Sequence, residues 1–158
     1  MLRIFAIAAT LTIASLAHAA NIIGAAIPVD GDTIDIHGTR VRLDGVDAPE
    51  SRQTCWDATG RTYRCGQVSA NALDKFLSAS QPIKCRPTGR SYERVVAICQ
   101  RADGTEVNRW LVANGYAIDW PKYSRGRYAG DQNRARAGRL GVWAGRFEMP
   151  CAFRGRAC

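Results

Sequence analysis

Between Thr33 and Val46 apolar and polar residues alternate on both sides of a turn. Ile34 and Ile36 share one face, Val41 and Leu43 share another, and His37-Gly38-Thr39 lies between the two runs. A period of two with glycine at the reversal predicts a β-hairpin. Asn21 to Ala26 reads as a strand ahead of it, and Pro49 ends the pattern beyond it, because proline cannot donate to a ladder. The period then changes. Gln67 to Leu77 places Val68, Ala72, Phe76 and Leu77 on one side of a helix. Pro82 to Arg86 and Val95 to Arg101 return to strand, and Asp103-Gly104 marks a turn. Glu106 to Asn114 reads as a short helix with Val107, Trp110 and Leu111 inward and Gly115 as its stop, and Tyr128 to Arg139 as a third, basic helix. Arg52 to Arg64 is polar and irregular, and no period is visible after Trp143. Short strands first, with helices interspersed, predict an α+β domain built on a small barrel. The pattern does not set strand order.

The opening "MLRIFAIAATLTIASLAHAA" stands apart from this periodicity. It has Arg3 as its only charge, then an apolar run, then Ala17-His18-Ala19. That is the three-part pattern of a secretory signal peptide, with cleavage expected after Ala19 or Ala20. The run from Ile4 to Ala17 is shorter than the roughly 20 residues a spanning helix needs. The expected organisation is therefore a cleaved segment over residues 1–20, one domain over 21–145 and a tail over 146–158. The mature chain is expected to be soluble, without membrane association, and either periplasmic or secreted.

Composition narrows the chemistry. The formal charge is +8, one unit less without Arg3, and all but three of the 22 basic residues are arginine. Arginine's planar fork suits bidentate phosphate contact, so a polyanionic partner is favoured over a merely solubilising surface. Of the two histidines, His18 falls in the leader and only His37 remains. Two-histidine ribonuclease chemistry and histidine-rich zinc sites are thereby excluded. The six cysteines, Cys55, Cys65, Cys85, Cys99, Cys151 and Cys158, are even in number and include no C-x-x-C, which suits disulfides in an oxidising compartment. Cys85 and Cys99 are equidistant from Tyr92, so a hairpin centred there sets them opposite each other. One scheme joins sequence neighbours in order: Cys55–Cys65, Cys85–Cys99 and Cys151–Cys158. The last pair has the alternative of tying the tail to the domain.

Against this basic background, the stretch from Val29 to Glu50 gathers Asp30, Asp32, Asp35, Asp44, Asp47 and Glu50 beside Arg40 and Arg42. If the hairpin closes at Gly38, Asp32 and Asp47 lie at the same end of the sheet, where two carboxylates suit a hard cation such as Ca²⁺. Glu50 is then placed to reach a water beside the metal, and Arg42 leads to the same end. Such a set fits metal-assisted phosphoryl hydrolysis. The same residues also suit a plainer role, because Asp-Gly pairs form turns and acids balance local arginines.

"VDGDTIDI" followed by "RLDGVDAPE" resembles the signature of the staphylococcal nuclease (thermonuclease) family. Later, "RSYERVVAIC" is similar to that family's D-x-Y-G-R segment, "EVNRWLVANGYA" to its second helix, and "YAGDQNRARAGRLGVWAG" to its last helix. The likeness runs in order from Ile22 to Gly145. It implies a five-stranded OB-fold barrel with three helices and a Ca²⁺-dependent phosphodiesterase that cuts DNA and RNA to leave 3′-phosphate ends. Asp32 and Asp47 match the carboxylate metal ligands. Ala48 stands where a backbone carbonyl meets calcium, a position usually held by threonine. Glu50 matches the general base, Arg42 and Arg94 the phosphate-binding arginines, and Asp30 and Thr33 positions close behind the metal. Tyr123 and Tyr128 lie where relatives have base-stacking tyrosines, and ordinary packing is the equal alternative for both. There are two departures: Arg90 replaces the first Asp of the D-x-Y-G-R segment and Glu93 replaces its Gly, and Glu93 is placed to draw Arg94 from phosphate. The expected function is an exported, monomeric nuclease. The alternatives are a non-catalytic OB-fold nucleic-acid-binding module and a disulfide-stapled interaction protein.

Overall fold

The computed structural model describes residues 20–156 and 158. The predicted leader, residues 1–20, lies outside the described residues except for Ala20. Among the described residues the fold is mixed α+β, with a sheet of six strands, two further strand pairs, five helices and one 3₁₀ turn.

The sheet comprises β1 (Ile22–Gly24), β2 (Ala26–Pro28), β3 (Thr33–Ile36), β4 (Thr39–Leu43), β8 (Ile83–Ser91) and β9 (Arg94–Gln100) in the order β1-β8-β9-β4-β3-β2. The predicted first strand, Asn21 to Ala26, is divided at Ala25. Its first half pairs with β8 at one edge of the sheet and its second half with β3 at the other. The division falls where the segment crosses the β3–β4 turn. A Cβ on Gly24 would lie 2.3 Å from the His37 imidazole, so only glycine permits that approach. The predicted hairpin closes on His37 and Gly38 alone, both at positive φ, and Thr39 joins the strand opposite Ile36.

The β8–β9 hairpin turns at Tyr92 and Glu93, with Ser91 opposite Arg94. That turn alone would set Cys85 one residue out of register with Cys99. A shift between Pro87 and Gly89 corrects it, and Cys85 faces Cys99 as predicted. All three neighbour disulfides are formed: Cys55–Cys65, Cys85–Cys99 and Cys151–Cys158.

The three predicted helices appear as α1 (Cys65–Ser78), α2 (Val107–Ala113) and α4 (Ala129–Ala137). On α1 the buried side chains are Cys65, Ser69, Leu73 and Leu77, whereas Val68 is exposed, so the inward face is rotated from the predicted one. Two single-turn helices were not expected: α3 (Pro121–Ser124) and α5 (Pro150–Phe153), each opened by a proline at its first turn. The main core lies between the sheet and α1 and α2, built from Ile34, Ile36, Val41, Leu43, Leu73, Leu77 and Leu111. The remaining short strands are β5 (Val46–Asp47), which pairs with β10 (Ile118–Asp119), and β6 (Cys55–Trp56), which pairs with β7 (Thr62–Tyr63).

Candidate functional site

Hairpin register brings the predicted acids together. Thr33 faces Arg42 across β3 and β4, and the Leu43 amide donates to the Asp32 carbonyl at 2.9 Å. After the turn at Asp44-Gly45, β5 returns Asp47 to the same end. Asp32 is almost fully buried. Its Oδ2 accepts the Ala48 amide at 2.7 Å, and its Oδ1 takes Arg42 Nη1 in an ion pair. Asp47 has no exposed surface and accepts Arg42 Nη2 at 3.3 Å. Arg42 therefore bridges the two carboxylates from within the sheet, and its Nη2 also donates to the Val46 carbonyl at 3.1 Å. Asp30 braces this corner from behind, its Oδ1 accepting the Asp32 amide at 3.0 Å. Thr33 is buried beside them, with its hydroxyl 3.5 Å from Asp32 Oδ1.

Glu50 is placed by the loop after Pro49. The Gln53 amide donates to the Glu50 carbonyl at 2.7 Å, and the Glu50 amide donates to Gln53 Oε1 at 3.1 Å. Gln53 is fully buried and uses its remaining amide group to reach the Glu148 carbonyl at 2.7 Å. The first turn of α1 closes against this loop: a Cβ on Gly66 would fall 1.8 Å from the Glu50 carbonyl oxygen.

Arg94 starts β9, two residues before Val96, the parallel partner of Arg42, so Arg42 and Arg94 share a sheet face. At the glycine-to-glutamate departure the positive φ falls on Tyr92 and not on Glu93. No ion pair joins Glu93 to Arg94 among the described residues, and Arg94 lines a cleft of about 740 Å³ above the acids. Arg90, Arg125, Arg127 and Arg156 line its walls. Tyr123 stands at the rim, 50% exposed and edge-on to Trp120. Tyr128 is different. It is fully buried in the main core, and its hydroxyl donates to Glu106 at 2.8 Å. Burial, joined by that bond, raises its pKa. Its ring offers no face for stacking a base.

The residue with most contacts to the acids had no signal in the sequence pattern. Arg154, just after α5, sets Nη1 2.9 Å from Asp47 Oδ1 and 2.6 Å from Glu50 Oε1, and Nη2 2.9 Å from Asp47 Oδ2. Its guanidinium lies 5.5 Å from the Trp120 ring centre. Trp120 thus lines the cleft. Burial works against the charge on Arg154, yet its bonds to Asp47 and Glu50 leave its pKa raised. Arg42 shifts the other way. Deep burial lowers its pKa, Asp47 and Asp30 oppose that, and Arg94 and Arg154 add to it. The site is a dense alternation of charge in which each buried carboxylate meets a guanidinium.

Asp32 and Asp47 are hard oxygen donors held close by one arginine, and a cationic group already sits on Asp47. That donor chemistry fits a hard cation. Among the described residues no three acidic, histidine or cysteine side chains form a cation site by themselves. Further ligands would therefore have to be backbone carbonyls and water.

The family model described as "Staphylococcal nuclease homologue" matches residues 40–145. That range includes Arg42, Asp47, Glu50 and Arg94; Asp32 precedes it and Arg154 follows it. The chain is 51% identical over 134 residues to "Succinoglycan biosynthesis protein ExoI" of Rhizobium meliloti (strain 1021), an alignment covering 84% of this chain and 70% of that protein. It is 32% identical over 146 residues to "Endonuclease YhcR" of Bacillus subtilis (strain 168), covering 81% of this chain and 12% of that protein.

Proposed function

The chain belongs to the staphylococcal nuclease family, and we propose that it is an exported, monomeric, Ca²⁺-dependent nuclease that hydrolyses phosphodiester bonds of DNA and RNA. The observation that carries this reading is the convergence of Asp32, Asp47 and Glu50 with Arg42 under an arginine-lined cleft. The fold supports it. The two halves of the first strand pair with opposite edges of one sheet, which suits a five-stranded OB-fold barrel closed by that strand. Three disulfides favour an oxidising compartment, and no described helix is long and apolar enough to cross a membrane.

In this mechanism Arg42 and Arg94 grip the phosphate oxygens and offset the charge that builds on them in the transition state. Glu50 takes a proton from the attacking water. The water oxygen adds to phosphorus, the P–O5′ bond breaks, and the 5′ oxygen takes a proton from solvent and leaves as a hydroxyl, so that the 3′-phosphate end remains. Asp32, Asp47 and the Ala48 carbonyl would hold calcium, which when bound neutralises phosphate charge and polarises water. Asp30 holds the Asp32 backbone amide, and the Thr33 hydroxyl lies beside the Asp32 carboxylate. Tyr123, half-exposed beside Trp120, offers a ring on which a base can stack.

The name of the Rhizobium relative favours a second reading, a role in glycan biosynthesis in which the cleft takes an anionic glycan intermediate. Incubation with single-stranded DNA and RNA, in Ca²⁺, in Mg²⁺ and in chelator, separates these readings. Cleavage in Ca²⁺ to 3′-phosphate products, absent in chelator, is expected. Binding without cleavage would point to a nucleic-acid-binding module. Neither binding nor cleavage would favour the glycan reading, and equal cutting in chelator would end the calcium mechanism.

A further inference from the structure

The Arg154 fork occupies three acceptors at once: both oxygens of Asp47 and one of Glu50. In the proposed nuclease these same groups bind the cation and activate water. Those three acceptor oxygens are not open to a cation or a water while Arg154 holds them. Asp47 has no exposed surface, so its charge needs a partner at all times. Arg42 supplies one contact from the sheet, at 3.3 Å, and Arg154 supplies the bidentate one.

How Arg154 is held differs from how Arg42 is held. Arg42 lies within a strand paired on both sides. Arg154 caps a four-residue helix, inside a loop closed by Cys151–Cys158 with a separation of 7. Its backbone amide donates to Pro150 within that turn, and its guanidinium rests near the Trp120 ring. It is a cation on a short tether, removable without breaking the sheet.

We propose that Arg154 is a tethered internal counter-ion that occupies the acid cluster in the cation-free protein and must be displaced from Asp47 and Glu50 before a divalent cation binds there. The inference rests on the reading of Asp32 and Asp47 as a cation site and goes beyond it. The plug keeps the buried acids neutralised when no cation is present. It makes cation affinity depend on how firmly the tail is tethered. The disulfide contributes by closing the loop around Arg154, which limits the backbone conformations open to it.

The test is calorimetric titration of the purified, oxidised chain with Ca²⁺, checked by Tb³⁺ luminescence, and it needs no nuclease assay. Arg154→Gln should tighten cation binding about tenfold, the factor expected when the plugged form holds about nine-tenths of the population. Arg156→Gln is the control. Arg156 lines the same cleft two residues on and makes no ion pair to Asp47 or Glu50 among the described residues. It should change affinity far less. Cys151→Ser with Cys158→Ser should tighten binding part of the way while Arg154 is still present. Unchanged or weaker affinity in Arg154→Gln overturns the plug. So does equal tightening in Arg154→Gln and Arg156→Gln, which would show only a net-charge effect. If neither the parent chain nor any variant binds Ca²⁺ or Tb³⁺, the cation-site reading itself fails and the plug falls with it.

Discussion

The acid floor of the cleft and the tail that covers it meet at the same atoms but are built by different means. The floor is made by register. Once β3 and β4 close on His37-Gly38, Asp32, Arg42 and Asp47 have little freedom, because each lies on or next to a paired strand. The tail after Gly145 has no strand of its own. It is rooted where Trp56 and Arg146 exchange two backbone hydrogen bonds, at 2.8 and 3.0 Å, it is pinned by Gln53, and the Cys151–Cys158 disulfide closes its end on itself. The floor thus carries fixed chemistry, while the tail carries a charge that can leave.

The largest expected effect tests the floor alone. Glu50→Gln should lower the rate of phosphodiester cleavage by about 10²–10⁴, the usual cost of losing a positioned base. The Glu50 amide and carbonyl hold the loop, and the substitution leaves them in place. Thermal unfolding should therefore move little. Initial rates beside a melting curve check both parts. A fall in melting temperature as large as the loss of rate implies would show that Glu50 matters for folding rather than chemistry.

Gln53 joins the two regions, and its loss should blur the contrast between them. In Gln53→Met the side-chain volume is nearly kept. The Glu50 amide and the Glu148 carbonyl lose their partners. Both bonds are part-buried and contribute about 0.5–1.5 kcal/mol each, so about 1–3 kcal/mol of stability should go. Urea unfolding measures the cost. Cation affinity should change less than turnover, since Asp32 and Asp47 are set by strand pairing and Glu50 by this loop. If stability is unaffected, the amide contacts of Gln53 carry no weight, and the loop and tail are independent.

The sequence pattern predicted the floor because hairpins are short-range objects. Alternation of Ile34, Ile36, Val41 and Leu43, with glycine at the turn, places Asp32 and Asp47 at one end before any tertiary contact is considered. The Cys85–Cys99 pairing was also legible, although the prediction did not foresee the bulge near Thr88 that achieves it. Tyr128 takes the packing alternative, and nothing local in the sequence distinguishes a cleft tyrosine from a core one. Its burial comes from α4 packing over α2 and from Glu106, 22 residues away. Arg154 and Gln53 were missed for the same reason at greater range. Their partners are 104 and 107 residues away for Arg154 and 95 for Gln53. One arginine among many, in a stretch without period, gives no sign that it will reach the site.

The smallest expected effect lies at the root of the tail and sharpens the contrast from its weaker side. Asp57 follows β6, next to the Trp56–Arg146 bridge, and is partly exposed. Its carboxylate accepts the Thr59 hydroxyl at 2.7 Å, the Thr59 amide at 2.8 Å and the Arg61 amide at 3.0 Å. The Thr59 hydroxyl is the largest influence, and together these bonds bring its pKa from 3.8 to about 2. A folded pKa below the unfolded one stabilises the fold above the unfolded value, and that contribution is lost as pH falls through the folded value. Between about pH 4 and pH 2, then, the turn at residues 57–61 should loosen while the floor keeps its backbone pairing. Hydrogen exchange, corrected for intrinsic rates, should show the Thr59 and Arg61 amides losing protection over that range. The Leu43 and Ala48 amides, both donors to Asp32, should hold theirs longer, because one bonds a backbone carbonyl and the other a buried carboxylate. Asp57→Asn should flatten the acid response of Thr59 and Arg61 with almost no change in melting temperature at neutral pH. Simultaneous loss of protection at all four amides would mean that tail root and floor unfold as one unit, and the division between them would not survive.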